Sequence, residues 1–299
     1  MMKKNKSAAP GNDLRRKGQV QEAWDRLKKQ PVAVLCMVVV AILLLIAIFA
    51  DVLADYDTLC VAQNLGNKLQ GPSAEHWLGT DQYGRDTLAR VLHGVRTALL
   101  MGFLSSALSV LMATILACLC AYFGGWVDTV IMRIIDVFSA IPPIVIALAI
   151  CAGLGNGMWQ LIVALSFGGF AIHTRMIRSS ALTVAKKDYI ETAIARGAKT
   201  GRIMLRYIVP NIISIIVIQF ASNVAINILQ GATLSFIGLG VQKPRPEWGS
   251  MLNEAVIYMR SDIRMMVVPA VALVITSLAI NTLGDYVRDA FDPQLKGKA

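Results

Sequence analysis

The chain has 299 residues, 56% of them hydrophobic, with a mean hydropathy of +0.58 and a formal net charge of +10. So apolar a composition excludes an ordinary soluble domain and points to a membrane protein. The surplus positive charge lies in tails and loops beside apolar runs. That is the pattern of orientation in a bilayer, and too little chain remains outside those runs to build the basic face of a nucleic-acid binder.

Residues 1–31 read as a basic tail. Val20, Trp24 and Leu27 recur at helical spacing beside Arg26, Lys28 and Lys29. This predicts a short interfacial helix with the indole at headgroup depth, the alternative being a solvated tail. A helix needs about 20 apolar residues to cross the hydrocarbon core. Runs at 32–53, 98–122, 130–153, 157–173, 207–230 and 266–284 qualify, giving six spans with an external loop at 54–97. The first run starts too late and is too long for a cleaved signal peptide. Pro142 and Pro143 should kink the third span. The pairs Gly153/Gly157 and Gly168/Gly169 permit close packing or a turn. Residues 98–290 form one core, and 291–299 a short tail.

Loop charge sets the direction. The first tail carries Lys3, Lys4, Lys6, Arg15, Arg16, Lys17, Arg26, Lys28 and Lys29 against Asp13, Glu22 and Asp25. The segment after the fourth span carries Arg175, Arg178, Lys186, Lys187, Arg196, Lys199, Arg202 and Arg206 against Asp188 and Glu191. Both belong in the cytoplasm, which places both termini there.

Residues 185–208 interrupt the apolar pattern. Asp188 can cap a helix, with Glu191 reaching back as in a capping box. Ile190, Ala193 and Ile194 then share a face. Gly197 suits the position just past the helix end, where a positive φ is common. Thr200 can cap a second short helix carrying Ile203 and Leu205 toward Pro210, which marks the bend into the fifth span. The result is a helix–turn–helix knuckle with a small apolar face. Periodicity alone does not separate it from an ordinary amphipathic loop helix.

The stretch Glu191-x-Ala193-x-x-x-Gly197, followed by Ile203 and Pro210, resembles the coupling motif of ABC-importer permeases. Other stretches are similar to the dipeptide, oligopeptide and nickel permeases of the MetI-like, type I class, in particular the dipeptide-permease-C-like half. They are His76-Trp-Leu-Gly79-Thr80-Asp81-Gln-Tyr-Gly84-Arg85-Asp86, Leu234-Ser-Phe-Ile-Gly238-Leu-Gly240, and Asn281-Thr-Leu-Gly284-Asp285 through Asp292-Pro293. Trp77, Lys243, His173-Thr174 and Arg264-Met265-Met266 depart from that pattern. The resemblance implies an all-α membrane bundle in the bacterial cytoplasmic membrane. It implies that Asp188, Tyr189, Glu191, Ala193, Gly197, Ala198, Ile203 and Pro210 couple to an ATPase. It also implies a homologous second permease in a heterodimer, two ABC ATPase subunits or domains that hold the ATP and Mg, and an external solute-binding protein. The chain itself would then carry no cofactor, no metal and no catalytic residue.

The fifth span carries Gln219, Asn223, Asn227 and Gln230. At 100° per residue they fall within an arc of about 80°. A polar stripe on a membrane helix faces protein or water. It either lines a translocation path or holds the bundle by interhelical hydrogen bonds. Ser277, Asn281 and Asp285 recur similarly on the sixth span, and Arg133 and Asp136 lie one turn apart. No P-loop occurs, and the three histidines and five cysteines show no metal spacing. Cys60 is expected alone in the outer loop. The reading is therefore an ATP-driven importer permease for di- or oligopeptides. The alternatives are nickel or another small solute, then an ATP-independent transporter or a scaffold.

Overall fold

The computed structural model describes residues 19–291. Among them no strand forms; one isolated antiparallel bridge joins Thr80 and Asp86. A short helix α1 (Gln19–Leu27) leads into α2 (Pro31–Leu53), α3 (Thr87–Phe123) and the pair α4 (Gly125–Ser139) and α5 (Pro143–Leu154). The chain continues through α6 (Met158–Ala185), α7 (Asp188–Ala195), α8 (Thr200–Ile203), α9 (Ile213–Phe236), α10 (Trp248–Val256) and α11 (Arg264–Phe291). Five helices (α2, α3, α6, α9 and α11) are long and apolar enough to span a bilayer, and α4 with α5 makes a sixth, broken span.

The departures from the apolar runs each have a local cause. Asp86 accepts from the Ala89 amide at 2.7 Å and starts α3 eleven residues before the apolar run at 98. Its 37 residues reach roughly 55 Å, well beyond a 30 Å hydrocarbon core. The third span is not one kinked helix. Pro142 and Pro143 both lack an amide hydrogen, Pro142 turns to ψ 135°, and the two pieces meet at 88°. Helix α6 runs past the expected end at 173 to Ala185, because its polar end is held by partners: Arg175 reaches Asp136 at 2.7 Å, and Arg178 grips Asp128 through Nε at 2.5 Å. Gly168 and Gly169 make no turn; Gly168 instead lets the α5 backbone at Pro143 come close. Arg133 also reaches Asp136, at 3.7 Å.

Helix α1 packs on α11, with Ala23 and Leu27 buried and Trp24 half exposed beneath the Lys28 ammonium. The expected interfacial helix is thus docked on protein along one side. The Val20 side chain lies outside the described set.

Helix α3 runs through the middle of the bundle, against α2, α6 and α9. Val95, Leu99, Val224, Ile228, Trp248 and Ile280 join α3, α9, α10 and α11 in one cluster. Lipid tails are as apolar as leucine, so such packing depends on close fit rather than on water exclusion. Gly249 shows how close: a Cβ there would lie 2.0 Å from the Ala232 carbonyl oxygen, so only glycine lets α10 seat on α9.

Candidate functional site

The segment between α6 and α9 folds into the knuckle. Ile190, Ala193 and Ile203 turn inward, and Ile190 and Ile203 join Val110, Ala117, Ile177 and Ala181 in one apolar cluster. The two short arms are thereby fastened to α3 and α6. The turn between them is a Schellman motif: Ala198 N–H donates to Ala193 O at 3.1 Å and Gly197 N–H to Ile194 O at 2.9 Å. Gly197 has φ +77°.

The caps differ from expectation. Lys187, not Asp188, stands at the N-cap of α7, with extended backbone and no side-chain cap bond. Asp188 and Glu191 are both within the first turn, where their charge complements the helix dipole rather than forming a capping box. Lys199 holds the same place before α8, and the Thr200 hydroxyl instead bonds the Tyr122 hydroxyl at 3.3 Å, at the end of α3. Ile194 and Leu205 do not share the inward face; Leu205 is 74% exposed. Tyr189, Ile194 and Leu205 are the large apolar side chains that the knuckle leaves uncovered. Pro210 lies in a tight turn, Val209–Asn211, that separates the second arm from α9.

Above the knuckle is a cavity of about 960 Å³ between α4, α5, α6, α9 and the end of α11. Gln219, Asn223, Asn227 and Gln230 all line it. Asn227 Nδ2 donates to Ser106 Oγ at 3.0 Å, so this member of the stripe also ties α9 to α3. Gln219 Oε1 lies 2.8 Å from His173 Nδ1 on α6. Asn223 Nδ2 and His173 Nε2 are buried with no hydrogen-bond partner among the described residues. Within the membrane depth the wall offers uncharged donors and acceptors; Glu22, Arg175 and Arg288 lie toward the knuckle end. On α11, Ser277 is buried and its hydroxyl has no hydrogen-bond partner among the described residues, and neither Asn281 nor Asp285 lines the cavity.

Comparisons with known proteins give the family and the fold. Residues 109–297 match the family described as binding-protein-dependent transport system inner membrane component, and residues 18–72 the N-terminal TM domain of oligopeptide transport permease C. The chain belongs to this ABC-importer permease family. It is 37% identical over 276 residues to the dipeptide transport system permease protein DppC of Alkalihalophilus pseudofirmus, covering 92% of this chain and 90% of that one. It is 40% identical over 283 residues to the glutathione transport system permease protein GsiD of Pectobacterium atrosepticum, covering 92% and 91%. Among solved structures, an inward-facing form of the MetNI methionine ABC transporter aligns with a TM-score of 0.54 at 19% identity, over 69% of this chain and 97% of that one. That likeness speaks for the fold alone. The permease is a multi-pass inner-membrane protein.

At the end away from the knuckle, the permease holds a buried ion cluster that the apolar counts passed over. Arg85 Nε donates to Asp81 at 2.7 Å, Arg90 Nη1 to the same carboxylate at 2.6 Å, and both arginines reach Glu254 at 3.2 and 3.1 Å. Lys243 closes the cluster from solvent, 2.9 Å from Glu254 Oε1. Burial alone would raise the Glu254 carboxyl. Arg90, Gln82, Lys243 and Arg85 outweigh it and hold the group at about 2. The signal was present in the Gly79-Thr80-Asp81 to Asp86 stretch, but nothing in the sequence paired it with Glu254, 169 residues away from Arg85. Three residues that depart from the family pattern thus have side-chain partners: His173 with Gln219, Lys243 with Glu254 and Arg264 with Asp262. Cys60 is buried under the same loop beside Ala54 and Ala89, and burial pushes its thiol up to about 12.

Proposed function

We propose that this permease subunit carries di- and oligopeptides inward as half of a heterodimeric path, driven by ABC ATPases that dock on the knuckle. The carrying observation is the amide-lined cavity beside the knuckle: Gln219, Asn223, Asn227 and Gln230 on one wall. Such groups pair with peptide N–H and C=O without demanding charge. The volume falls within the range of small-molecule sites, about 300–1,000 Å³. The names of the relatives, dipeptide and glutathione permeases, support the same cargo class.

The knuckle is built as a docking body. Its inward face fastens it to α3 and α6, while Tyr189, Ile194 and Leu205 stay free for a partner. Asp188, Glu191, Ala193, Gly197, Ala198, Ile203 and Pro210 then shape the contact or its angle. The charge of the first tail and of residues 175–206 supports a cytoplasmic location for both termini and the knuckle. Nucleotide and Mg are held by the ATPases, and an external binding protein delivers cargo to the opposite end. ATP binding and hydrolysis shift the population between two helix arrangements.

The test is reconstitution in vesicles of this subunit with its partner permease, the ATPases and the binding protein. Labelled dipeptide should accumulate only with ATP and all components present. Uptake at the full rate without the ATPases would refute the reading.

A further inference from the structure

A second pocket, of about 290 Å³, opens where the end of α2, the first turns of α3, the start of α6 and the stretch before α10 meet. Its polar lining is Asp51, Tyr56, His93, Arg96, Thr97 and Arg245, with Met158 beside them. We infer that this pocket binds the phosphodiester of a membrane phospholipid, with Arg245 as the main anion contact and Arg96 as support.

The charges lining this pocket do not cancel. Arg96 donates through Nε to Ala47 O at 2.7 Å, and through Nη2 to Ile48 O at 3.2 Å and Asp51 Oδ2 at 2.9 Å. Asp51 is thereby balanced, and Arg96 Nη1 is left over. The His93 ring is held by Ala54 O at 2.8 Å, with its other nitrogen 3.9 Å from Asp51. Arg245 has no carboxylate partner among the described residues; its hydrogen bond goes from Nη1 to Met158 Sδ at 3.0 Å. A thioether is a weak acceptor. The pocket therefore keeps one uncompensated guanidinium, whose planar fork matches a phosphate.

What surrounds the pocket decides between a soluble anion and a lipid. Ile48, Leu100 and Leu104 are exposed on α2 and α3, and Trp159 stands exposed one residue past Met158. Leu100 and Leu104 are one helical turn apart, so an acyl chain can lie along them while the headgroup sits over Arg245. An exposed tryptophan at a helix start is the usual marker of headgroup depth. A soluble phosphate would use none of this apolar surface.

The experiment uses the detergent-purified permease pair and follows thermal unfolding against added phosphatidylethanolamine. A zwitterionic lipid is chosen so that the chain's +10 charge does not draw it non-specifically. Ligand that binds the native state raises the midpoint. The wild type should reach half its stabilisation at about one tenth of the lipid that Arg245→Gln needs, with Arg245→Lys between them. Diacylglycerol with the same chains, and inorganic phosphate alone, should give no shift. If Arg245→Gln fails to fold, Arg245→Lys carries the comparison. The inference falls if the variants titrate like the wild type, if diacylglycerol stabilises equally, or if inorganic phosphate alone reproduces the shift.

Discussion

Gly197 offers the sharpest test of the knuckle as a preformed body. Its φ of +77° closes the Schellman turn between the two arms. A Cβ added there would meet nothing within 4 Å, so a substitution is opposed by backbone conformation and not by crowding inside this chain. Holding an ordinary L-residue in the left-handed region costs about 1–2 kcal/mol, less for Asn, and a β-branched residue is worse than Ala. Each 1.4 kcal/mol is tenfold in an equilibrium. Gly197→Val should therefore lower the fraction of competent knuckles, and the apparent affinity for the ATPase, by about 5- to 30-fold. Gly197→Asn should stay within about threefold of wild type. The assay titrates purified ATPase onto the reconstituted permease pair and reads binding and ATP-driven uptake, with membrane insertion scored by blot. Wild-type affinity in Gly197→Val would refute the conformational argument. Equal loss in Asn and Val would refute it differently, by showing that the partner surface itself touches this position.

Three further outcomes are expected. Glu254→Gln should lower thermal stability, because it leaves Arg85 and Arg90 sharing Asp81; the gap between 4.5 and about 2 corresponds to roughly 3 kcal/mol at 1.36 kcal/mol per pH unit. The sign follows from a depressed carboxyl: this stability is present above pH 4.5 and is lost as pH falls toward 2, so a wild type no less stable at pH 3 than at pH 7 would contradict it. Asn223→Leu should cut dipeptide uptake several-fold while leaving assembly of the permease pair intact; unchanged uptake would remove Asn223 from the path. A permease retaining Cys60 as its one cysteine should resist maleimide at pH 7.5 until unfolded, since the side chain is fully buried and burial pushes its thiol up to about 12; fast labelling of the native protein would show the loop to be open.

The spans were legible because hydropathy reports the solvent, and here the solvent is lipid. What it could not report is helix that continues outside the hydrocarbon. The first turns of α3 carry Arg90, His93 and Arg96, whose side chains are held by nearby Asp81 and by Glu254, Ala54 O and α2 from distant sequence. The arginines at the end of α6 are held in the same way, by Asp128 and Asp136. The proline pair announced a disturbance but not its size, since an 88° corner depends on what α6 offers for α5 to pack against. In the knuckle, glycine spacing located the turn, because φ is a local property. Capping was misassigned by one residue at both arms, because a cap depends on where the first helical carbonyl falls, and that was set by the packing of Ile190 and Ile203.

The two ends of α9 are held differently, and this follows from which residues face what. Toward α10, Val224, Ala225, Ile228 and Leu234 are buried, and α10 is seated through Gly249 on Ala232. Toward the knuckle, residues 213–222 are only partly buried, and many of them border the cavity. A load on the knuckle enters α3 and α6 directly, through the cluster around Ile190 and Ile203. It reaches α9 across the turn at Pro210, where the helical hydrogen-bond ladder is interrupted, and through Ile215, Ile216 and Phe220, which pack against the same cluster. Helix α9 is thus seated deeply at one end and only partly buried at the other, with the Asn227–Ser106 bond near the deeply seated end. The half of α9 that carries Gln219 borders the cavity through partly buried residues, and the His173–Gln219 bond ties it to α6, so a movement there would change the cavity's width and strain that contact.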